Sequence, residues 1–134
     1  MEIKASDVKK LREKTGAGLM DCKKALSQAE GDFDKAEKIL KELGLAAAAK
    51  RGGRATNEGR IFTYVGEGKA GILEMSCETD FVARNEEFVK LGEGIIRDIV
   101  KDGLSVEDQR IADDVTEAAA VIKENLSVRR ATTL

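Results

Sequence analysis

Thr79-Asp80-Phe81-Val82 sets a hydroxyl, a carboxylate and a large aromatic side by side, after the apolar strand-like run Gly71 to Ser76 and the pair Cys77-Glu78. The chemistry open to that set is recognition rather than bond making. The Thr79 hydroxyl can cap a helix. Asp80 then stands where a helix start favours negative charge, and Phe81 falls in the first turn. Such an element is either a probe that enters another protein or ordinary packing, and a lone phenylalanine is more often core. Covalent chemistry has little to work with. Histidine is absent, which removes the commonest general base and metal ligand and excludes a Ser-His-Asp arrangement. No cysteine pair has zinc spacing and no glycine-rich phosphate loop occurs. Carboxylates are plentiful, yet no spacing singles out a catalytic pair. The chain reads as a binding protein and not an enzyme.

Composition supports this. The 134 residues give room for one ordinary domain or two small ones. A hydrophobic content of 42% excludes compositional disorder. With no Trp, no Pro and 4% aromatics, the core must come from Leu, Ile, Val and Ala, which suits helices. The net charge of -2 argues against direct nucleic-acid binding. Residues 1–50 carry 11 Lys+Arg and 9 Asp+Glu, the remainder 12 and 16, and neither imbalance is strong. Met1-Glu2-Ile3-Lys4 leads straight into an amphipathic pattern, and no apolar run approaches the ~20 residues that span a bilayer. The expectation is a cytoplasmic protein, without membrane contact, whose Cys22 and Cys77 are reduced.

The elements that must position these residues follow from periodicity. Three helices are expected in the first 45 residues. Ser6 is the expected cap of the first, which carries Val8 and Leu11 and ends at Thr15-Gly16. The second starts near Leu19 with Cys22, Ala25, Leu26 and Ala29 on one face. Asp32 caps the third, along Phe33, Ala36, Leu40 and Leu43, and Gly44 is its expected C-terminal glycine. Residues 46–59, with Lys50-Arg51-Gly52-Gly53-Arg54, read as a solvated linker, though Leu45–Ala49 can extend as a helix. Residues 60–78 read as a hairpin turning at Gly66–Lys69, with Leu73, Met75 and Cys77 facing a core. Asn85 caps a long helix bearing Phe88, Leu91, Ile95 and Ile99 and closing at Asp102-Gly103. Ser105 to Asp108 resembles a capping box. A helix is expected over Val115–Glu124, ended by Asn125. Residues 126–131 supply a third strand, whose sheet keeps an unpaired edge that a second copy of the chain could cover. The fold class is α+β, a helical bundle followed by a small antiparallel sheet packed with helices.

Two segments carry a resemblance. Leu11-Arg12-Glu13-Lys14-Thr15-Gly16-Ala17-Gly18-Leu19-Met20-Asp21-Cys22-Lys23-Lys24-Ala25-Leu26 and Cys77-Glu78-Thr79-Asp80-Phe81-Val82-Ala83 closely resemble bacterial elongation factor Ts, the guanine-nucleotide exchange factor for elongation factor Tu. Their order matches too. The resemblance implies a ubiquitin-associated-like three-helix domain over 1–45, a linker over 46–59 and a core domain from residue 60. The family's core continues past the point matching Leu134, so residues 60–134 are expected to form an incomplete core domain. It further implies that Arg12, Leu19, Met20 and Lys23 meet elongation factor Tu in its GDP form. Thr79, Asp80, Phe81 and Val82 would disturb the partner's Mg²⁺ site so that GDP leaves. No cofactor or metal of its own is implied.

Beside the family's role stand plainer expectations. Leu19 and Met20 lie ~100° apart around a helix, so one is expected in the core and one exposed. Cys22 and Cys77 read as buried small hydrophobes, and Glu78, Glu86 and Glu87 as surface carboxylates. The rival function is an interaction module whose bundle binds ubiquitin-like or other helical partners, or a binding-only fragment without exchange activity. A carboxylate enzyme is a third option with no spacing behind it.

Overall fold

A computed structural model describes residues 2–134. The elements run α1 (Ala5–Thr15), α2 (Leu19–Gln28), α3 (Phe33–Arg51), β1 (Glu58–Gly66), β2 (Lys69–Cys77), α4 (Asp80–Ala83), α5 (Glu86–Asp102), α6 (Gln109–Ile122) and β3 (Ser127–Thr133). This is the expected α+β class. Two compact units divide between Ala47 and Ala48. Among the described residues no helix is long and apolar enough to cross a membrane.

The first unit buries the apolar faces that the periodicity marks. Val8, Leu11, Cys22, Ala25, Leu26, Ala29, Ala36 and Leu40 form its core, with Ile3, Ala17, Phe33 and Ile39 against it. Helices this short are stabilised chiefly by such packing. Asp32 caps α3 as expected, its Oδ1 accepting from the Lys35 amide at 3.2 Å. Three details differ. α1 starts after Lys4 with no side-chain cap, so Ser6 lies inside the first turn. That end is exposed, and solvent can satisfy its open N–H groups. Leu43 is exposed rather than on the packed stripe. α3 also passes through Gly44 to Arg51. One glycine costs a helix about 1 kcal/mol relative to alanine, and Ala46 to Ala49 continue with the best helix former. Residues 46–51 are therefore helical, and only 52–57 connect to β1.

In the second unit the strands pair antiparallel in the order β1-β2-β3. The hairpin turns on two residues, Glu67 and Gly68, both with positive φ (54° and 74°), the signature of a type I′ turn. The β2–β3 register shifts between Glu74 and Met75. Phe62, Leu73, Met75 and Cys77 point into a core built with Phe88, Ile95, Ile96, Ile99, Val100, Ile111 and Leu126. Ser76, on the other face, is also buried, bonded to the Thr56 hydroxyl at 2.8 Å and accepting from Arg129 Nε at 3.2 Å. α5 packs across β1 and β2. Asn85 caps it by accepting from the Glu87 amide at 2.8 Å, and Gly103 closes it at φ 64°.

α6 starts earlier than the sequence suggests. Its cap is Asp108, accepting from the Arg110 amide at 2.9 Å, whereas Ser105 closes a turn with the Glu107 amide. Leu104 and Val106 pack against the core, which holds that segment as a loop. The helix ends at Ile122, with Lys123 in the left-handed region at φ 66°, and not at Asn125.

α5 approaches the sheet closely because two glycines leave room. A Cβ on Gly92 would overlap the Phe62 ring, and one on Gly71 would meet Ile96 and Val100. Gly94, on the same helix, has nothing nearer than Arg97 Nη2 at 3.6 Å. Gly92→Ala should therefore destabilise the chain by roughly 1–3 kcal/mol through overpacking. Gly94→Ala should stabilise it by up to about 1 kcal/mol through helix propensity. Urea denaturation of both variants checks the opposite signs; equal signs would mean that the packing is misread.

Candidate functional site

β2 delivers the chain to the site with its last side chain, Cys77, fully buried. The Cys77 thiol donates to the Thr79 carbonyl at 3.2 Å, turning the backbone away from the strand. Two carboxylates then fix the turn from both sides. Glu124 Oε1 accepts from the Glu78 and Thr79 amides, each at 3.1 Å, and its Oε2 accepts from the Thr79 hydroxyl at 2.7 Å. In return Glu78 Oε2 accepts from the Asn125 amide at 2.6 Å. Carboxylates that accept N–H and O–H bonds make about the strongest hydrogen bonds a protein has.

Thr79, its proton committed to Glu124, offers a lone pair to the Val82 amide at 3.3 Å. That is the cap of α4, as the sequence predicts. A helix of one turn cannot sustain itself, so α4 is held from outside. Val82 and Ala83 are buried, and Arg60 Nη1 donates to the Ala83 carbonyl at 3.3 Å. The other two residues face out. Asp80 meets Arg84 at 3.0 Å on the surface, a pair of little energetic weight. Phe81 is 78% exposed. The four residues singled out by sequence thus divide: Thr79 and Val82 anchor the element, and Asp80 and Phe81 are presented by it.

Phe81 is not core. Phe62 and Phe88, by contrast, pack at 5.9 Å between ring centroids inside the same unit. Leaving a phenylalanine outside forgoes about 1.5–3 kcal/mol of burial.

The other expected residues lie in the first unit. Gly16 closes α1 at φ 73°. The Thr15 hydroxyl donates to the Leu11 carbonyl at 2.7 Å and accepts from the Ala17 amide at 3.3 Å. The Cys22 thiol donates to the Ala17 carbonyl at 3.7 Å from beneath. This fixed turn presents the start of α2, where Leu19 is 50% and Met20 71% exposed. The expectation that one of the two is core is therefore wrong. Side chains tilt toward a helix N-terminus, so Leu19 in the first turn overhangs the end of α2 and does not join the Cys22–Ala25 stripe. Arg12 and Lys23 are exposed on α1 and α2.

Three contributors were not legible. Glu78 is no ordinary surface carboxylate: it is half-buried, holds Asn125 and lies 3.6 Å from Arg54 Nη1. Glu124 has its partners 45 and 46 residues away, beyond any local pattern. The Asn125 amide group donates to the Gly52 and Arg54 carbonyls at 3.2 and 2.8 Å. Among the described residues no group of three His, Cys, Asp or Glu could hold a metal ion.

Comparison with known proteins follows the same outline. Residues 78–134, which begin at the turn and include Glu124, match the family described as Elongation factor TS. The chain is 48% identical over 130 residues to the elongation factor Ts of Borrelia duttonii, covering 97% of this chain and 47% of that protein. It is likewise 48% identical to those of Treponema denticola over 130 residues and Borreliella burgdorferi over 128, covering 97% and 96% of this chain and 46% of each relative. The chain spans about half the length of the curated relatives it matches.

Burial, then the charges of Glu124 and Glu58, pushes the Cys77 thiol up from 9.0 to about 11. Between those values the folded thiol keeps a proton that the unfolded chain has lost. This contribution to stability is complete below pH 9.0 and is lost as pH rises to about 11. Denaturation at a series of pH values should show the parent losing more stability across that window than Cys77→Ala. Parallel curves would place the thiol in a wetter setting.

Proposed function

We propose that this chain is a member of the elongation factor Ts family and serves translation elongation as a guanine-nucleotide exchange factor, binding elongation factor Tu in its GDP form and promoting GDP release; the match of residues 78–134 and the 48% identity to elongation factor Ts proteins support the reading. The observation that carries the reading is Phe81, an exposed aromatic on a short helix whose backbone is fixed by buried and half-buried partners. A probe needs that combination: apolar surface to insert, and a base that does not yield when it is inserted.

The mechanism requires no bond making. Mg²⁺ demands near-ideal octahedral geometry, so a small displacement of its surroundings weakens it steeply. Phe81 enters the partner beside its Mg²⁺ site, and Asp80 adds a negative charge there. Thr79 and Val82 hold the pair in place. Nucleotide and factor then weaken each other by the same factor, as linkage demands. The chain acts by binding one conformation of its partner better than another.

The first unit contributes affinity. Leu19 and Met20, exposed above a fixed turn, form an adaptable apolar contact on the nucleotide-binding domain of elongation factor Tu, flanked by the cations Arg12 and Lys23. No nucleic acid is needed, and the site of action is the cytoplasm.

Release of a fluorescent GDP analogue from elongation factor Tu tests this. The parent chain should accelerate release. Phe81→Ala should lower the maximal rate by roughly ten- to hundredfold, the equivalent of about 1.5–3 kcal/mol of lost burial. Met20→Ala should instead raise the concentration needed for half the effect. A Phe81→Ala chain as active as the parent would sink the probe mechanism. A parent that binds without accelerating release would be a binding module only.

A further inference from the structure

We propose that Glu124 is the positioning residue of the Phe81 element, an inference that rests on the exchange reading above. Glu124 lies on the segment between α6 and β3, outside the element and far from it in sequence. Yet its carboxylate accepts three hydrogen bonds there: from the amides of Glu78 and Thr79 at 3.1 Å and from the Thr79 hydroxyl at 2.7 Å. A hydroxyl has one proton to give. Giving it to Glu124 points a lone pair at the Val82 amide, 3.3 Å away, and that bond starts α4. Glu124 thereby sets the direction in which Phe81 projects while leaving the ring itself exposed.

The next residue closes the device. The Asn125 amide donates to Glu78 at 2.6 Å, so the two segments hold each other in both directions. The Asn125 side chain also donates to the carbonyls of Gly52 and Arg54, which ties the turn to the chain entering β1. Removing Glu124 leaves two half-buried amides unsatisfied and frees the Thr79 hydroxyl. The stretch before α4 then loses its anchor, while the core behind Val82 has no reason to change.

Two variants separate these effects in the full chain. Glu124→Ala removes all three acceptors. Glu124→Gln keeps an oxygen for both amides but offers –NH₂ where the Thr79 proton went. At saturating factor, Glu124→Ala should lower the maximal rate of GDP release from elongation factor Tu by about tenfold, the scale of one lost charge-assisted bond. The half-saturating concentration should stay close to the parent's, and Glu124→Gln should lie between. Amide hydrogen exchange should quicken at Glu78, Thr79 and Val82 but not at Ile95 or Ile99 in α5.

An Ala variant with the parent's maximal rate, in a preparation where the parent is active, overturns the inference and leaves the exchange reading standing. So does a loss in which α5 opens as well, since that is general destabilisation. A parent without exchange activity defeats the exchange reading instead. Hydrogen exchange then decides alone: unchanged protection at Thr79 and Val82 in the Ala variant refutes a positioning role.

Discussion

One carboxylate set opposite two backbone amides is the constraint on which the site depends. Glu124 and Glu78 reach across to each other's neighbourhoods, each satisfying main-chain N–H groups that a turn between strand and helix would otherwise leave open. A half-buried amide without a partner costs about 1–3 kcal/mol, so the exchange of carboxylates fixes the path of the chain there. Everything projecting from that path inherits its precision. The cap on Val82, the orientation of α4 and the exposure of Phe81 all follow from it.

The two regions read as contacts are built alike. In each, a buried thiol donates to a nearby main-chain carbonyl: Cys22 to Ala17, five residues before it, and Cys77 to Thr79, two residues after it. In each, a threonine hydroxyl both donates and accepts, Thr15 in one unit and Thr79 in the other. Large apolar side chains then stand exposed on the short helix start beyond. The chain thus presents Leu19, Met20 and Phe81 without the softness that usually accompanies exposed apolar residues on loops. Side chains of this kind are energetically idle until a partner covers them.

What could be read from the sequence was whatever is decided within a turn or a strand. Alternation placed Leu73, Met75 and Cys77 inward, and the caps at Asp32, Thr79 and Asn85 needed only a side chain and an amide two or three residues away. Local competition was harder to judge. Gly44 carried a stop signal that the alanine run overrode, and Ser105 a start signal that packing of Leu104 and Val106 cancelled. Leu19 escapes the core because the first turn of a helix has nothing before it to pack against, which helical periodicity does not register. Glu124 was out of reach, since nothing near it announces a partner on the far side of two helices. The candidate site was therefore visible as a motif and invisible as a mechanism of support.

The sequence distance between Glu124 and its partners also has a consequence in time. The β1–β2 hairpin closes through a two-residue turn, an event of about 1–10 μs. The Thr79 turn cannot be completed on that schedule, because its acceptor arrives only after α5 and α6 have been traversed and a long loop has closed. On a ribosome adding about 5–20 residues per second, the nascent chain carries Phe81 for seconds before residue 124 exists to shape the segment that bears it. The segment that bears Phe81 is thus made well before the carboxylate that shapes it.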